Sequence, residues 1–155
     1  MNDAVALTRP RPLPTLKDLI RWAFGVATVV TNKGKAMFAD RLRTSPETYT
    51  TSPKFLALGV GAHEGAGRTA AASDTGLTNE KETRTTGTES TVETTNPKDT
   101  YQVEGTITAT AERAVDEAGT FDASTSGNMF VSATHNTDNL NNGDSITYKW
   151  KVKQA

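Results

Sequence analysis

The stretch Ser145–Lys153 constrains this chain more than any other. Ile146, Tyr148, Trp150 and Val152 alternate with Thr147, Lys149, Lys151 and Lys153, and a two-residue period puts successive side chains on opposite faces of an extended strand. One face is apolar and aromatic, the other hydroxylated and cationic, as in an antiparallel strand half buried against a core. Just upstream, Asn141-Asn142-Gly143-Asp144 carries an Asn-Gly pair that accepts the positive φ angles of a tight turn. The expectation is a hairpin pairing this strand with residues 127–134, and a β-domain closed by its own C-terminus.

Two further segments read as strands. Phe55 to Val60 is a short apolar run. Tyr101, Val103, Ile107, Ala109 and Ala111 alternate with Gln102, Glu104, Thr106, Thr108 and Thr110. Between them lie a loop of small residues, 61–73, and an almost wholly polar stretch, 79–95, which fits an exposed edge strand, an inter-subunit strand or a loop. As a strand, 83–95 buries little apolar area, so its order is expected to need a neighbouring chain. Threonine makes up roughly a sixth of the sequence, which favours strands over helices.

The residues before Pro53 have a different character. In Arg9-Pro10-Arg11-Pro12-Leu13-Pro14 every second residue fixes φ and lacks a donor, predicting an extended, polyproline-like arm over 1–14. Its Val5, Leu7, Arg9, Arg11 and Leu13 are the candidate partner-binding side chains; a disordered terminus is the alternative. Thr15 with Asp18 caps a predicted helix carrying Leu16, Leu19, Ile20, Ala23 and Phe24, which Gly25 ends. After the β-branched stretch 26–31, Asn32 opens a second helix over 33–42 with Ala36, Met37, Ala39 and Leu42 apolar, stopped by Ser45-Pro46.

The predicted organisation is thus an arm at 1–14, a short helical segment at 15–52 and an antiparallel β-domain at 53–155. The fold class is mainly β: a jelly-roll-like antiparallel β-sandwich preceded by an extended arm and one or two short helices. With 155 residues, 35% of them apolar, the chain fills one modest core. Cysteine is absent, so stability must come from packing, sheet hydrogen bonds or assembly. A formal charge of −1 gives no basic footprint for nucleic acid. The apolar run 26–30, interrupted by Thr28, is far too short to span a membrane, and the Pro-rich start lacks the features of a signal peptide.

Catalytic and ligand motifs fail when indexed. Gly59-Val60-Gly61-Ala62-His63-Glu64-Gly65 has its third glycine one place late for a dinucleotide fingerprint, and in Gly67-Arg68-Thr69 arginine replaces the phosphate-loop lysine. Indexing 138–144 as a calcium loop puts Leu140 at its third position and Lys149 at its twelfth. His63 and His135 are the only histidines and lack acidic partners at ligand spacing. Asp116, Glu117 and Asp122 surround Gly119; an acid/base pair of the glycosidase kind is conceivable, but turn capping explains them better. The serines and threonines have only two histidines to activate them. The chain reads as a non-enzyme without cofactor or metal.

Five segments do form a recognisable order: Val30-Thr31-Asn32-Lys33-Gly34-Lys35-Ala36; Phe55-Leu56-Ala57-Leu58-Gly59-Val60-Gly61; Ala72-Ser73-Asp74-Thr75-Gly76-Leu77 with Glu80 and Arg84; Asp116-Glu117-Ala118-Gly119-Thr120-Phe121-Asp122; and Asn142-Gly143-Asp144-Ser145-Ile146. This resembles a layout of tailed-phage virion structural proteins: a TNxG helix start, an ALGxG strand, an SDTxL loop, an EAGxFD turn and a GDS hairpin. Thr120 departs from it, standing where an aliphatic residue is expected. The resemblance covers residue 30 to the C-terminus and implies a virion component, in a group that includes tail-collar, fibre-base and capsid-decoration proteins.

A β-domain running to the last residue, preceded by an arm suited to clamping the next subunit, favours capsid decoration, or cement. The expected partners are the major capsid protein or other virion proteins, and the expected assembly is a homo-oligomer, guessed to be a trimer. A tail, neck or fibre-base protein of the same β-fold is the alternative. A carbohydrate-binding β-sandwich would need an exposed aromatic platform; Tyr148 and Trp150 are expected in the core, which leaves Tyr49, Tyr101 and Trp22 as poor candidates.

Overall fold

The alternations of the sequence appear as two antiparallel sheets packed face to face. The computed structural model describes residues 27–41, 49, 51–61, 69–93 and 100–153; the predicted arm, the first predicted helix, Leu42 and His63 lie outside them. In chain order the elements are β1 (Ala27–Val30), α1 (Asn32–Arg41), β2 (Phe55–Val60), β3 (Glu80–Thr86), β4 (Thr88–Val92), β5 (Thr100–Thr108), β6 (Arg113–Phe121), β7 (Met129–Leu140) and β8 (Ser145–Lys153). A five-stranded sheet ordered β1-β7-β6-β2-β3 faces a three-stranded sheet ordered β4-β5-β8. Between them lie Leu56, Leu58, Val103, Ile107, Val115, Val131, Ile146, Tyr148 and Trp150. The antiparallel β-sandwich expected from the sequence is present.

β8 buries Ile146, Tyr148, Trp150 and Val152 in strict alternation, as its pattern demands. Its partner, however, is β5, in register from Thr100↔Lys153 to Thr108↔Ser145, and not residues 127–134. Those residues belong to the other sheet. The Asn-Gly turn does form, with Gly143 at φ +90° and Asp144 Oδ2 accepting the Asn141 N–H at 2.8 Å. Two further bonds, Gly143 N to Ala109 O and Ala109 N to Asp144 O, both 2.8 Å, tie the turn to the end of β5. The chain therefore crosses between sheets there instead of folding β8 back on β7.

Over its described residues, 79–93, the polar stretch forms two edge strands that pair within their own chain. Gly87 divides it. β3 pairs with β2 at the edge of the larger sheet, and β4 pairs with β5 at the edge of the smaller one. Backbone pairing and side-chain bonds replace the missing apolar burial: Arg84 holds Glu80 at 2.7 and 2.9 Å, donates to Ala123 O at 2.9 Å, and lies 3.4 Å over the centre of the Phe121 ring.

The EAGxFD segment is a strand rather than a turn. Asp116 and Glu117 are buried within β6, at the middle of the larger sheet, and only Asp122 caps a loop. Its two oxygens accept from the Asn128 N–H at 2.6 Å and the Asn128 side-chain amide at 2.8 Å.

Residues 27–41, which precede Pro53, join the sandwich. The β-branched stretch supplies β1, which pairs with β7 from Ala27↔Thr134 to Val30↔Val131. Thr31, not Asn32, caps α1: its Oγ1 accepts the Gly34 N–H at 3.0 Å and donates to Met129 O at 2.5 Å. Met37 is buried while Ala39 is exposed. Phe38 takes the place expected of Ala39, with its ring 5.1 Å from that of Phe130.

The departure at Thr120 has a physical counterpart. The residue is fully buried, and its Oγ1 has no hydrogen-bond partner. A desolvated hydroxyl without a partner costs roughly 1–3 kcal/mol, whereas valine of the same shape removes it. Thr120→Val should therefore stabilise the protein by about 1 kcal/mol in denaturant unfolding; a loss of stability would show that the hydroxyl is satisfied after all.

Candidate functional site

Segments far apart in sequence meet on the outer face of the five-stranded sheet. There Leu77 and Phe55 pack against Ala57, Phe121 and Met129. Gly119 makes the approach possible: a Cβ on it would lie 2.9 Å from Val131 O and 3.4 Å from Leu77 Cδ2. Asp74 fastens the covering loop, since its Oδ2 accepts from Ala71 N at 2.9 Å and Ser132 Oγ at 2.7 Å. Asn32 N donates to Ala72 O at 2.7 Å, joining the start of α1 to the same loop. Glu117 is fully buried and accepts the Asn79 N–H through Oε1 at 3.0 Å, and Gly59 leaves room for it.

The three carboxylates considered for acid/base work are thus separated by role. Glu117 holds a backbone N–H, Asp122 caps the loop between β6 and β7, and Asp116 lies near Tyr148. Burial raises the Tyr148 hydroxyl far above the ordinary phenol range, and the charges of Asp138 and Asp116 raise it further. Its oxygen is 3.2 Å from His135 Nε2, and His135 Nδ1 is 2.8 Å from Asn136 O. His135 stands where β7 has extra residues against β6, between the pairs Glu117↔Thr134 and Val115↔Asp138. The polar run 134–139, breaking the alternation of β7, was the sequence signal for this feature. Among the described residues no three His, Asp or Glu side chains are placed to hold a metal ion.

Clefts open at the margins of the described residues. One, of about 430 Å³, is lined by Met37, Phe38, Tyr49, Pro53, Tyr101 and Phe130 among others, with Tyr101 edge-on to Phe130 at 6.1 Å. Another, of about 390 Å³, contains Glu82, Thr110 and Arg113. Burial pushes the Glu82 carboxyl up, but hydrogen bonds from Thr110 and the charge and hydrogen bond of Arg113 outweigh it and hold the group below its usual range. The ion pair measures 2.9 Å. Tyr148 and Trp150 face the core, as expected, and supply no platform for a sugar. Trp22 and the arm residues Val5, Leu7, Arg9, Arg11 and Leu13 lie outside the described residues.

Among the described residues β4 is the edge of the smaller sheet, one of the alternatives the sequence offered for 79–95. Thr88, Glu89, Ser90 and Thr91 are all exposed, and Glu89 is held by Tyr101 Oη and Ser52 Oγ, each at 2.9 Å. Burial, followed by the charge and hydrogen bond of Glu89, raises the Tyr101 hydroxyl far above its ordinary range, so it stays a donor.

Comparison with known proteins gave no match: no family model, no curated protein and no solved structure aligns with this chain.

Proposed function

We propose that this chain is a non-enzymatic virion structural protein that decorates and stabilises a capsid lattice, with the major capsid protein as partner. One observation carries the reading: four of the five segments that resemble tailed-phage structural proteins form a connected packing unit, while the fifth, the hairpin at 142–146, is tied to the end of β5. The helix start bonds to the SDTxL loop through Asn32 and Ala72. That loop covers the ALGxG and EAGxFD strands through Leu77, and Arg84 stacks on Phe121. A set of motifs that meets in space describes a scaffold more specifically than five separate likenesses. The basic and apolar arm would then tie the scaffold to a neighbouring capsomer at low conformational cost.

The test is copy number on purified particles, together with a variant lacking residues 1–14. Decoration predicts hundreds of copies per particle, and a truncated protein that keeps its thermal transition but binds undecorated capsids at least about tenfold more weakly, the equivalent of ~1.4 kcal/mol. A dozen copies would place the protein in the tail or neck instead. Absence from particles would overturn the virion role.

A further inference from the structure

We propose that β4 is the seam of a two-fold homodimer, in which Thr88–Val92 pairs antiparallel with the same strand of a second copy and merges two three-stranded sheets into one of six. The argument starts from the sheet edges. An unpaired strand edge invites another chain, and proteins blunt such edges by shortness, by bulges or by lysine. Among the described residues the two sheets have four edges, and β4 differs from the other three. β1 is the shortest of them, with four described residues. β3 is bulged, its pairing with β2 jumping from Leu56↔Thr85 to Leu58↔Lys81 with Glu82 at φ +59°. β8 presents Lys149, Lys151 and Lys153, which would oppose one another in a self-pair. β4 has neither bulge nor lysine: its pairing with β5 runs unbroken over all five residues from Thr88↔Glu104 to Val92↔Thr100, and it contains neither lysine nor proline.

The side chains of β4 fit a second copy of itself. In a two-fold pair centred on Ser90, Ser90 meets Ser90, Glu89 meets Thr91 and Thr88 meets Val92, so no like charges are opposed; centring on Glu89 would oppose two carboxylates. Glu89 is already held by Tyr101 and Ser52, with Lys54 Nζ 3.9 Å away. The strand is therefore preorganised before any partner arrives. An isologous pair covers both edges at once and closes at two subunits. A five-residue strand pair covers less than the roughly 1,200 Å² of a standard stable interface, which puts the dimer in the micromolar range. The inference does not depend on the virion reading.

The chain has no cysteine, so Ser90→Cys gives a unique probe. Across the seam the two thiols would face each other, and oxidation or a short bis-maleimide should yield covalent dimer at least tenfold faster than for Thr108→Cys, on the exposed face of β5. Sedimentation of the full chain should show the average mass rising towards twice the monomer between about 1 and 300 μM, and Ser90→Lys should abolish the rise while keeping the circular dichroism of the fold. A monomer at the highest concentration overturns the proposal, as it would if residues of the same chain covered β4. So does a trimer, or equal cross-linking of the two cysteine variants. Should Ser90→Lys fail to fold, the cross-linking comparison decides alone.

Discussion

Gly34→Ala is expected to lower the thermal midpoint by about 4–8 °C, although alanine is the better helix former by about 1 kcal/mol. Gly34 lies in the first turn of α1, where the helix sits directly on β7. A Cβ there would run into the backbone oxygen of Phe130 and lie 2.9 Å from Phe130 Cδ2 and 3.0 Å from Val30 Cγ1. The ring can turn, but the carbonyl cannot move easily, because it accepts the Thr31 N–H at 3.0 Å beside the β1–β7 pairing. Strain from added volume in a packed site costs roughly 1–3 kcal/mol or more, and a clash with fixed backbone belongs at the upper end. A net loss near 2 kcal/mol follows. Denaturant unfolding of the variant, with amide exchange in α1, measures it; a variant as stable as the parent would show that the helix does not dock as closely as this.

Gly34, a poor helix former, is thus the residue that lets the helix pack, and the differences between sequence and structure share that origin. Periodicity reports which face of a segment is buried, so β5 and β8 were legible with their inward side chains, while the apolar run of β2, buried on both faces, was legible as a strand only. It does not report against what. The Asn-Gly turn before β8 has the same local chemistry whether the chain folds back or crosses to the facing sheet. Its bonds to Ala109, more than thirty residues away, decide the outcome. The acidic and glycine residues of β6 looked like a turn because burial of Asp116 and Glu117 depends on Asn79, Gly59 and Tyr148, all contributed from elsewhere. The threonine-rich stretch lacked apolar residues from which to read a buried face, and its order comes from backbone pairing on both sides of Gly87.

The motifs of the resemblance divide along the same line. Thr31 caps, Gly34 and Gly119 permit close approach, Asp74 and Asp122 satisfy backbone donors, and Gly143 turns. Each was visible as a residue type, and each task was fixed only by its spatial neighbour. These residues support a scaffold, so what the scaffold binds must be sought at its margins: the arm, the cleft beside α1 and the edge at β4.

The crossing at Gly87 is expected to produce a second large effect, and one that is non-additive. Leu56 is fully buried, and its side chain reaches between the two sheets to Gly87 and Gly105. A Cβ on Gly87 would run into Leu56 Cδ1 and lie 2.6 Å from Val103 Cγ2, while one on Gly105 would lie 3.0 Å from Leu56 Cδ1. Leu56→Ala should therefore cost about 2–5 kcal/mol, the usual range for emptying such a site. Gly87→Ala should cost about 1–3 kcal/mol through overpacking, against a gain of at most ~1 kcal/mol from a stiffer unfolded chain. In the double variant the new methyl group enters space that the shortened residue 56 has vacated. Its loss should fall short of the summed single losses by at least about 1 kcal/mol, with Val103 still keeping the repair incomplete. Urea unfolding of the three variants measures the coupling. Simple additivity would mean that Leu56 and Gly87 are not packed against each other, and that the chain crosses between the sheets by some other accommodation.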